Sequence, residues 1–126
     1  MKRISFAALC NLYMLCFCLS CERINHHNVS IHVSDSQRYY KMYAHYNRGK
    51  AGNIDEYMTD EIGRASNMSF VNTRIDGKLT LDDHTKFYLK KYPGYIEIKL
   101  DKEENSGNAY RKIKTMCEGI KQIISH

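Results

Sequence analysis

Histidine side chains are the groups in this chain that could bind a metal ion. The chain has six histidines, and His26, His27 and His32 lie close together near the N-terminus. A metal site needs three or four ligands that converge in space. Adjacent residues of an extended segment point to opposite sides, so His26 and His27 cannot converge in such a segment. The spacing therefore predicts no metal site, and we expect no cofactor.

Cysteine, serine and paired carboxylates could instead carry nucleophilic or acid–base chemistry. A catalytic cysteine needs a base beside it and partial exposure. Cys117 falls within an apolar stripe, which predicts a buried thiol or a disulfide. No serine lies in a Gly-x-Ser-x-Gly turn, and the acidic pairs Asp60-Glu61 and Asp82-Asp83 are adjacent in sequence and do not face each other. We therefore predict that the protein is not an enzyme.

Tyrosine is unusually frequent, with ten tyrosines against four phenylalanines. Tyr92 and Tyr95 bracket a Pro-Gly turn, where few core residues are within reach, so we expect both side chains to be exposed. Tyrosine is favoured at contacts between proteins. With the neighbouring Lys90 and Lys91, these tyrosines form the predicted partner-binding surface.

Residues 1–20 have the pattern of a secretory signal peptide. Two basic residues, Lys2 and Arg3, precede a nearly continuous apolar run from Ile4 to Leu19. The run is shorter than the roughly 20 residues that a bilayer core requires, and the charged Glu22-Arg23 follows at once. The sequence therefore predicts export with removal of this segment, with a membrane anchor as the alternative.

The segment Cys18-Leu19-Ser20-Cys21 resembles the lipobox of bacterial lipoproteins. The resemblance implies that Cys21 is lipidated, becomes the mature N-terminus and attaches the protein to a membrane of the cell envelope. Cys18 stands where leucine is usual, and Cys18 with Ser20 also suits an ordinary signal peptidase. A soluble periplasmic or secreted protein is therefore the alternative. In both cases residues 21–28 are predicted to be a polar tether.

The processing route decides the chemistry of Cys117. Removal of residues 1–20 leaves Cys21 and Cys117 as the remaining cysteines and lowers the net charge from +5 to +3, because Lys2 and Arg3 are lost. If Cys21 is lipidated, we expect Cys117 to be a buried free thiol. If it is not, an oxidising compartment would favour a Cys21–Cys117 disulfide.

The first half of the mature chain predicts one strand and two helices. Alternation of apolar and polar residues over 29–33 has the period of a strand. The run Ser34-Asp35-Ser36-Gln37 matches a capping box and predicts a helix that continues to Arg48. Asn53 begins a second helix that ends near Ile62. The segment from Gly49 to Gly52 is then the joint of a short helical hairpin or, as the alternative, a kink between two collinear helices.

The second half predicts four antiparallel strands and a closing helix. From Met68 the apolar residues recur with a period of two, and turns are predicted at Asp76-Gly77, at 82–84 and at Pro93-Gly94. The polar stretch 103–108 carries the cap of the last helix. Its apolar positions share one face of the cylinder: Ala109, Ile113, Met116, Cys117, Ile120, Ile123 and Ile124.

The predicted fold class is α+β, in one domain over 29–126, with an N-terminal strand, a short helical hairpin and a four-stranded antiparallel meander covered by a long C-terminal helix. The order of elements is similar to helix-grip and cystatin-like architectures. This is an analogy of shape that transfers no function, and the Gln-x-Val-x-Gly loop of the cystatin inhibitors is absent.

These expectations favour a small exported bacterial envelope protein, a lipoprotein, that is non-enzymatic and binds another macromolecule. Immunity factors, inhibitors and accessory proteins of secretion or pilus machines belong to this class, and the expected partner is a protein of the envelope. Lys86, Tyr88 and Lys90 alternate on one strand, as in a nucleic-acid surface, but export and nearby acidic residues argue against nucleic acid. The alternative function is a carrier of a small apolar ligand, held in a helix-grip-like cavity.

Overall fold

The computed structural model describes residues 29–126. The predicted signal peptide at 1–20 and the predicted tether at 21–28, with Cys21, lie outside the described residues. The strands are β1 (Ser30–Asp35), β2 (Tyr39–His45), β3 (Ile75–Thr80), β4 (Lys86–Tyr92) and β5 (Tyr95–Asp101), and the α-helices are α1 (Ala51–Met58) and α2 (Gly107–Ser125).

The five strands form one antiparallel sheet in the order β1-β2-β5-β4-β3. Both helices pack on the same face of this sheet, and each strand turns its apolar residues towards them. The α+β class is therefore confirmed. The core between sheet and helices is built from fully buried side chains of the central strands and of both helices: Met42, Ile54, Met58, Leu89, Ile96, Ile98, Leu100, Ile113, Met116 and Ile120.

The closing helix follows its prediction closely. Ser106 is the N-cap residue, and its hydroxyl accepts a hydrogen bond from the amide of Ala109 at 3.1 Å. This bond satisfies one of the amide groups that the first turn of a helix leaves without a partner. The apolar stripe of the helix then faces the sheet, and Cys117 is buried within it.

The predicted helix over 34–48 is wrong, because this segment contains the turn between β1 and β2 and the whole of β2. The hydroxyl of Ser36 accepts the amide hydrogen of Tyr39 at 3.1 Å, and the amide of Ser36 donates to the carbonyl of Tyr39 at 2.9 Å. A serine side chain that bonds to a nearby amide suits a turn as well as a helix cap. The following residues then alternate, with Tyr40 and Met42 buried.

The helical hairpin is therefore a single helical segment. Helix α1 covers most of the second predicted helix and continues as one wide helical turn, Thr59–Gly63, and a short 3-10 turn, Arg64–Ser66. Asn67 ends the segment in the left-handed conformation, with φ of 56°. Asparagine tolerates this conformation better than most residues do.

The predicted four-stranded meander is wrong in its first turn. Asp76 and Gly77 lie inside β3, where they pair with Lys90 and Leu89 of β4, so the meander has three strands. The segment before β3 is a loop whose fixed point is Phe70, buried and with its amide donating to the Thr59 hydroxyl at 3.0 Å.

The two later turns are where the sequence predicts them. His84 has a φ of 70° in the turn between β3 and β4, and Gly94 has a φ of 96° in the turn between β4 and β5. A positive φ at the position after proline is what a type II turn requires.

Candidate functional site

One face of the sheet carries no helix within residues 29–126. We call it the open face, and each of its side chains is exposed or half-buried. Alternate residues of each strand point away from the core and form this face. Many of them are tyrosines and lysines, and a few are carboxylates. The open face consists of Ser30, His32, Ser34, Tyr39, Lys41, Tyr43, His45, Asp76, Lys78, Thr80, Lys86, Tyr88, Lys90, Tyr92, Tyr95, Glu97, Lys99 and Asp101.

Aromatic rings contact one another across one end of the open face. The ring centroids of Tyr92 and Tyr95 are 5.2 Å apart in a stacked arrangement. His45 lies 4.8 Å from Tyr95 on the other side, and the Arg74 guanidinium lies 5.7 Å from the Tyr92 ring. Such contacts fix the rings while leaving part of each ring available to a partner. Tyr92 is exposed, with 38% of its surface accessible.

Tyr95 is half-buried by these neighbours. Its hydroxyl donates a hydrogen bond to the Glu97 carboxylate at 2.8 Å. Burial of the phenol and the bond to Glu97 raise the pKa of Tyr95 to about 12. The bond to Glu97 orients the ring on the sheet. Of the two tyrosines predicted to bind a partner, Tyr92 presents more surface.

The two predicted contact lysines point to opposite faces of β4. Lys90 lies on the open face, opposite Glu97 of β5 and Asp76 of β3. The expectation that Lys91 is exposed is wrong, since only 5% of its side chain is accessible. Consecutive residues of a strand face opposite sides, so Lys90 and Lys91 cannot share one surface.

Lys91 forms a buried ion pair with Asp55 of α1. Its ammonium donates to the Asp55 carboxylate at 3.0 Å and to the carbonyl of Thr73 at 2.6 Å. The second carboxylate oxygen of Asp55 accepts the amide hydrogen of Asn72 at 3.2 Å. This cluster joins α1, β4 and the loop before β3, and so it fixes the backbone that carries Arg74.

A groove of about 540 Å³ lies at the other end of the open face, lined in part by Tyr39, Tyr88 and Lys99. The Lys99 ammonium lies 4.4 Å from the centre of the Tyr39 ring. The Tyr88 hydroxyl donates to Asp76 at 2.6 Å, and this bond raises the pKa of Tyr88 to about 12. Sequence reasoning did not bring Tyr39 and Lys99 together, because it assigned Tyr39 to a helix and Lys99 to a strand of the meander.

Of the groups considered for catalysis, Cys117 is fully buried. Burial raises the pKa of the Cys117 thiol to about 12, so the thiol is protonated at neutral pH, whereas a cysteine nucleophile reacts as thiolate. His32 stacks on Tyr43, with 4.7 Å between the ring centroids. Within residues 29–126, no three side chains among His, Cys, Asp and Glu converge as metal ligands would. His26 and His27 lie outside the described residues.

Comparisons with known protein families, with curated protein sequences and with solved structures each find no match. In the part of the chain that begins at Val29, none of the helices is both long enough and apolar enough to span a membrane.

Proposed function

We propose that this is an exported bacterial envelope protein, held to a membrane by lipid on Cys21, that acts by binding a protein partner through the open face. The proposed role is non-enzymatic, as in immunity factors, inhibitors and accessory proteins of secretion or pilus machines. The observation that carries the proposed binding surface is the contact of the Tyr92 and Tyr95 rings with each other, with His45 and with the Arg74 guanidinium, on a sheet face that no helix of residues 29–126 covers.

An antiparallel sheet commonly has one solvent-exposed face. Short polar side chains are sufficient to make such a face soluble in water. The open face has such side chains in Ser30, Ser34 and Thr80, but it also carries five tyrosines. Tyrosine combines a large apolar ring with a hydroxyl that suits a contact formed and dissolved in water. The space between α2 and the sheet is filled by the buried side chains of one cluster. This filling gives no support to the alternative of an apolar-ligand carrier.

If Cys21 is lipidated, the Cys21→Ser variant should lose its palmitate label. Palmitate labelling of cells that express the protein should mark the wild-type chain and leave the variant unmarked, because the thioether needs the Cys21 sulfur. The circular dichroism spectrum should be the same for both proteins. A Cys117→Ser variant is the matched control and should keep the label. An unlabelled wild-type protein with no free thiol before reduction would contradict lipidation and favour the Cys21–Cys117 disulfide.

If the protein binds its partner through Tyr92 and Tyr95, the Tyr92→Ser/Tyr95→Ser variant should lose affinity for that partner. We expect the full-length protein to capture a stoichiometric protein from an envelope extract, and the double variant to bind it at least about thirtyfold more weakly, since truncating a central aromatic contact costs about 2 kcal/mol or more. Affinity would be measured by surface plasmon resonance with the captured protein.

The control for this experiment is Val33→Ser. Val33 is 44% accessible on β1 and lies outside the open face, so the change removes a comparably exposed apolar side chain elsewhere. The control should bind as the wild-type protein does. Equal affinity of the wild-type protein and the tyrosine double variant would refute binding through this end of the open face.

A further inference from the structure

Two lysines face each other at the centre of the open face. Lys41 of β2 and Lys99 of β5 are directly paired across the two strands. Like charges in directly opposite positions destabilise a sheet. Tyr88 continues the same row beyond Lys99, and Lys78 follows it on β3. This lysine row therefore crosses the middle of the sheet with three cations.

No carboxylate of residues 29–126 lies within ion-pairing distance of Lys41 or Lys99. Each ammonium instead lies over a tyrosine ring, Lys99 over Tyr39 at 4.4 Å and Lys41 over Tyr43 at 5.5 Å. A ring face attracts a cation, but it carries no net charge and leaves the two positive charges uncompensated.

The two acidic residues nearest to Lys99 along β5 are engaged elsewhere. Glu97 accepts the Tyr95 hydroxyl at 2.8 Å, and Asp101 pairs with Arg38 at 3.2 Å. Lys78, at the end of the lysine row, pairs with Glu104 at 2.8 Å. Within the lysine row, the positive charges without an ion-pair partner are therefore those of Lys41 and Lys99. A local cost of this kind is expected at a functional site.

The position of the acidic residues restricts the kind of anion that fits. Glu97 and Asp101 flank Lys99 on the same face of β5, so a polymer with a charge on every unit, such as a nucleic acid or a sulfated glycan, would meet a carboxylate on each side. A protein segment can carry carboxylates over the two lysines and neutral or basic residues over Glu97 and Asp101. The surrounding tyrosines also favour a protein.

Resting on the proposed function, we propose that the open face binds an acidic protein segment whose carboxylates lie over Lys41 and Lys99. The segment compensates the two like charges that the fold leaves opposed. Electrostatic complementarity of this kind gives binding that is fast and falls with added salt.

The proposal is tested by titrating the full-length protein against three fluorescently labelled probes of equal net charge: a glutamate-rich peptide with interspersed tyrosine and glycine, a single-stranded oligodeoxynucleotide and a sulfated oligosaccharide. Fluorescence anisotropy at low salt should show the tightest binding for the peptide. Lys41→Glu and Lys99→Glu should each weaken peptide binding by about tenfold or more, because each replaces attraction by repulsion.

Arg111→Glu is the matched control, because it makes the same change of charge at an exposed position of α2, on the helical side of the protein. Its peptide affinity should equal that of the wild-type protein. Each single lysine variant also replaces a like-charged pair by an opposite pair, so the midpoint of urea unfolding should rise. A folding defect would instead lower binding and stability together.

Three outcomes would overturn the proposal: the oligonucleotide or the glycan binds as tightly as the peptide, both lysine variants keep the peptide affinity, or Arg111→Glu loses it equally. These failures are distinct from failure of the proposed function. If the captured envelope protein loses affinity for the tyrosine double variant but binds Lys41→Glu and Lys99→Glu normally, the proposed function stands and the acidic segment is refuted.

Discussion

Replacement of Lys91 by methionine should lower the free energy of unfolding by about 3–5 kcal/mol, because it leaves the Asp55 carboxylate buried without its cationic partner. The ion pair is 3.0 Å long, and the two side chains are 5% and 9% accessible. The carbonyl of Thr73 also loses its donor. Methionine matches the length of the lysine stem, so little of the loss comes from a cavity. Urea unfolding followed by circular dichroism measures the change.

A double-mutant cycle separates the ion pair from packing. Asp55→Asn alone should cost a similar amount, since it leaves a buried ammonium facing a neutral amide. Asparagine keeps an oxygen for the Asn72 amide, which donates to Asp55 at 3.2 Å. The double variant Lys91→Met/Asp55→Asn should therefore recover much of the combined loss. Additive losses in the double variant would show that the two charges do not stabilise each other.

The same ion pair connects stability to the candidate site. Lys91 and Asp55 hold Thr73 and Asn72, and the next residue, Arg74, lies over the Tyr92 ring. A variant that releases this loop should also loosen the aromatic stack at the end of the open face. Lys91 was predicted as a contact residue and instead lies on the core side of the strand that carries Tyr92.

The predictable parts of the fold are those that residues close together in the sequence determine. The apolar stripe and the serine cap specify α2, and proline followed by glycine specifies the turn between β4 and β5. The segment that became β2 was ambiguous because its tyrosines recur at helical spacing as well as in alternation. The segment forms a strand because it pairs with β5 on one side and with β1 on the other. Tertiary contacts of this kind override the local preference of the sequence.

The lysine pair at the centre of the open face could not be predicted, because its two residues are distant in sequence. Lys41 and Lys99 meet only because β2 pairs with β5 and not with β3. The sequence did indicate Tyr92 and Tyr95, whose turn places them beside each other without any knowledge of strand order. The sequence can predict that two residues joined by a short turn lie side by side. It cannot predict this for two residues that meet only through the order of strands in the sheet.

The backbone at the end of the helical segment approaches the following loop closely at Gly63. Gly63→Ala should lower the free energy of unfolding by about 1–3 kcal/mol, the usual cost of forcing backbone apart in a packed region. A Cβ at this position would lie 2.5 Å from the carbonyl oxygen of Met68 and 3.3 Å from the Phe70 ring. The conformation is itself ordinary for alanine, with φ of −82°. The effect is therefore one of space.

Gly52→Ala is the matched control in α1, because no heavy atom lies within 4 Å of its added Cβ. Alanine should stabilise the protein there by about 0.4–1 kcal/mol, since it restricts the unfolded chain. Opposite shifts of the two urea midpoints are expected, and a stabilised Gly63→Ala variant would contradict the close approach. Phe70 anchors the loop that leads to the Asp55–Lys91 pair. Gly63→Ala should therefore lower the free energy of unfolding by less in the Lys91→Met variant, where the loop is already released, than in the wild-type protein.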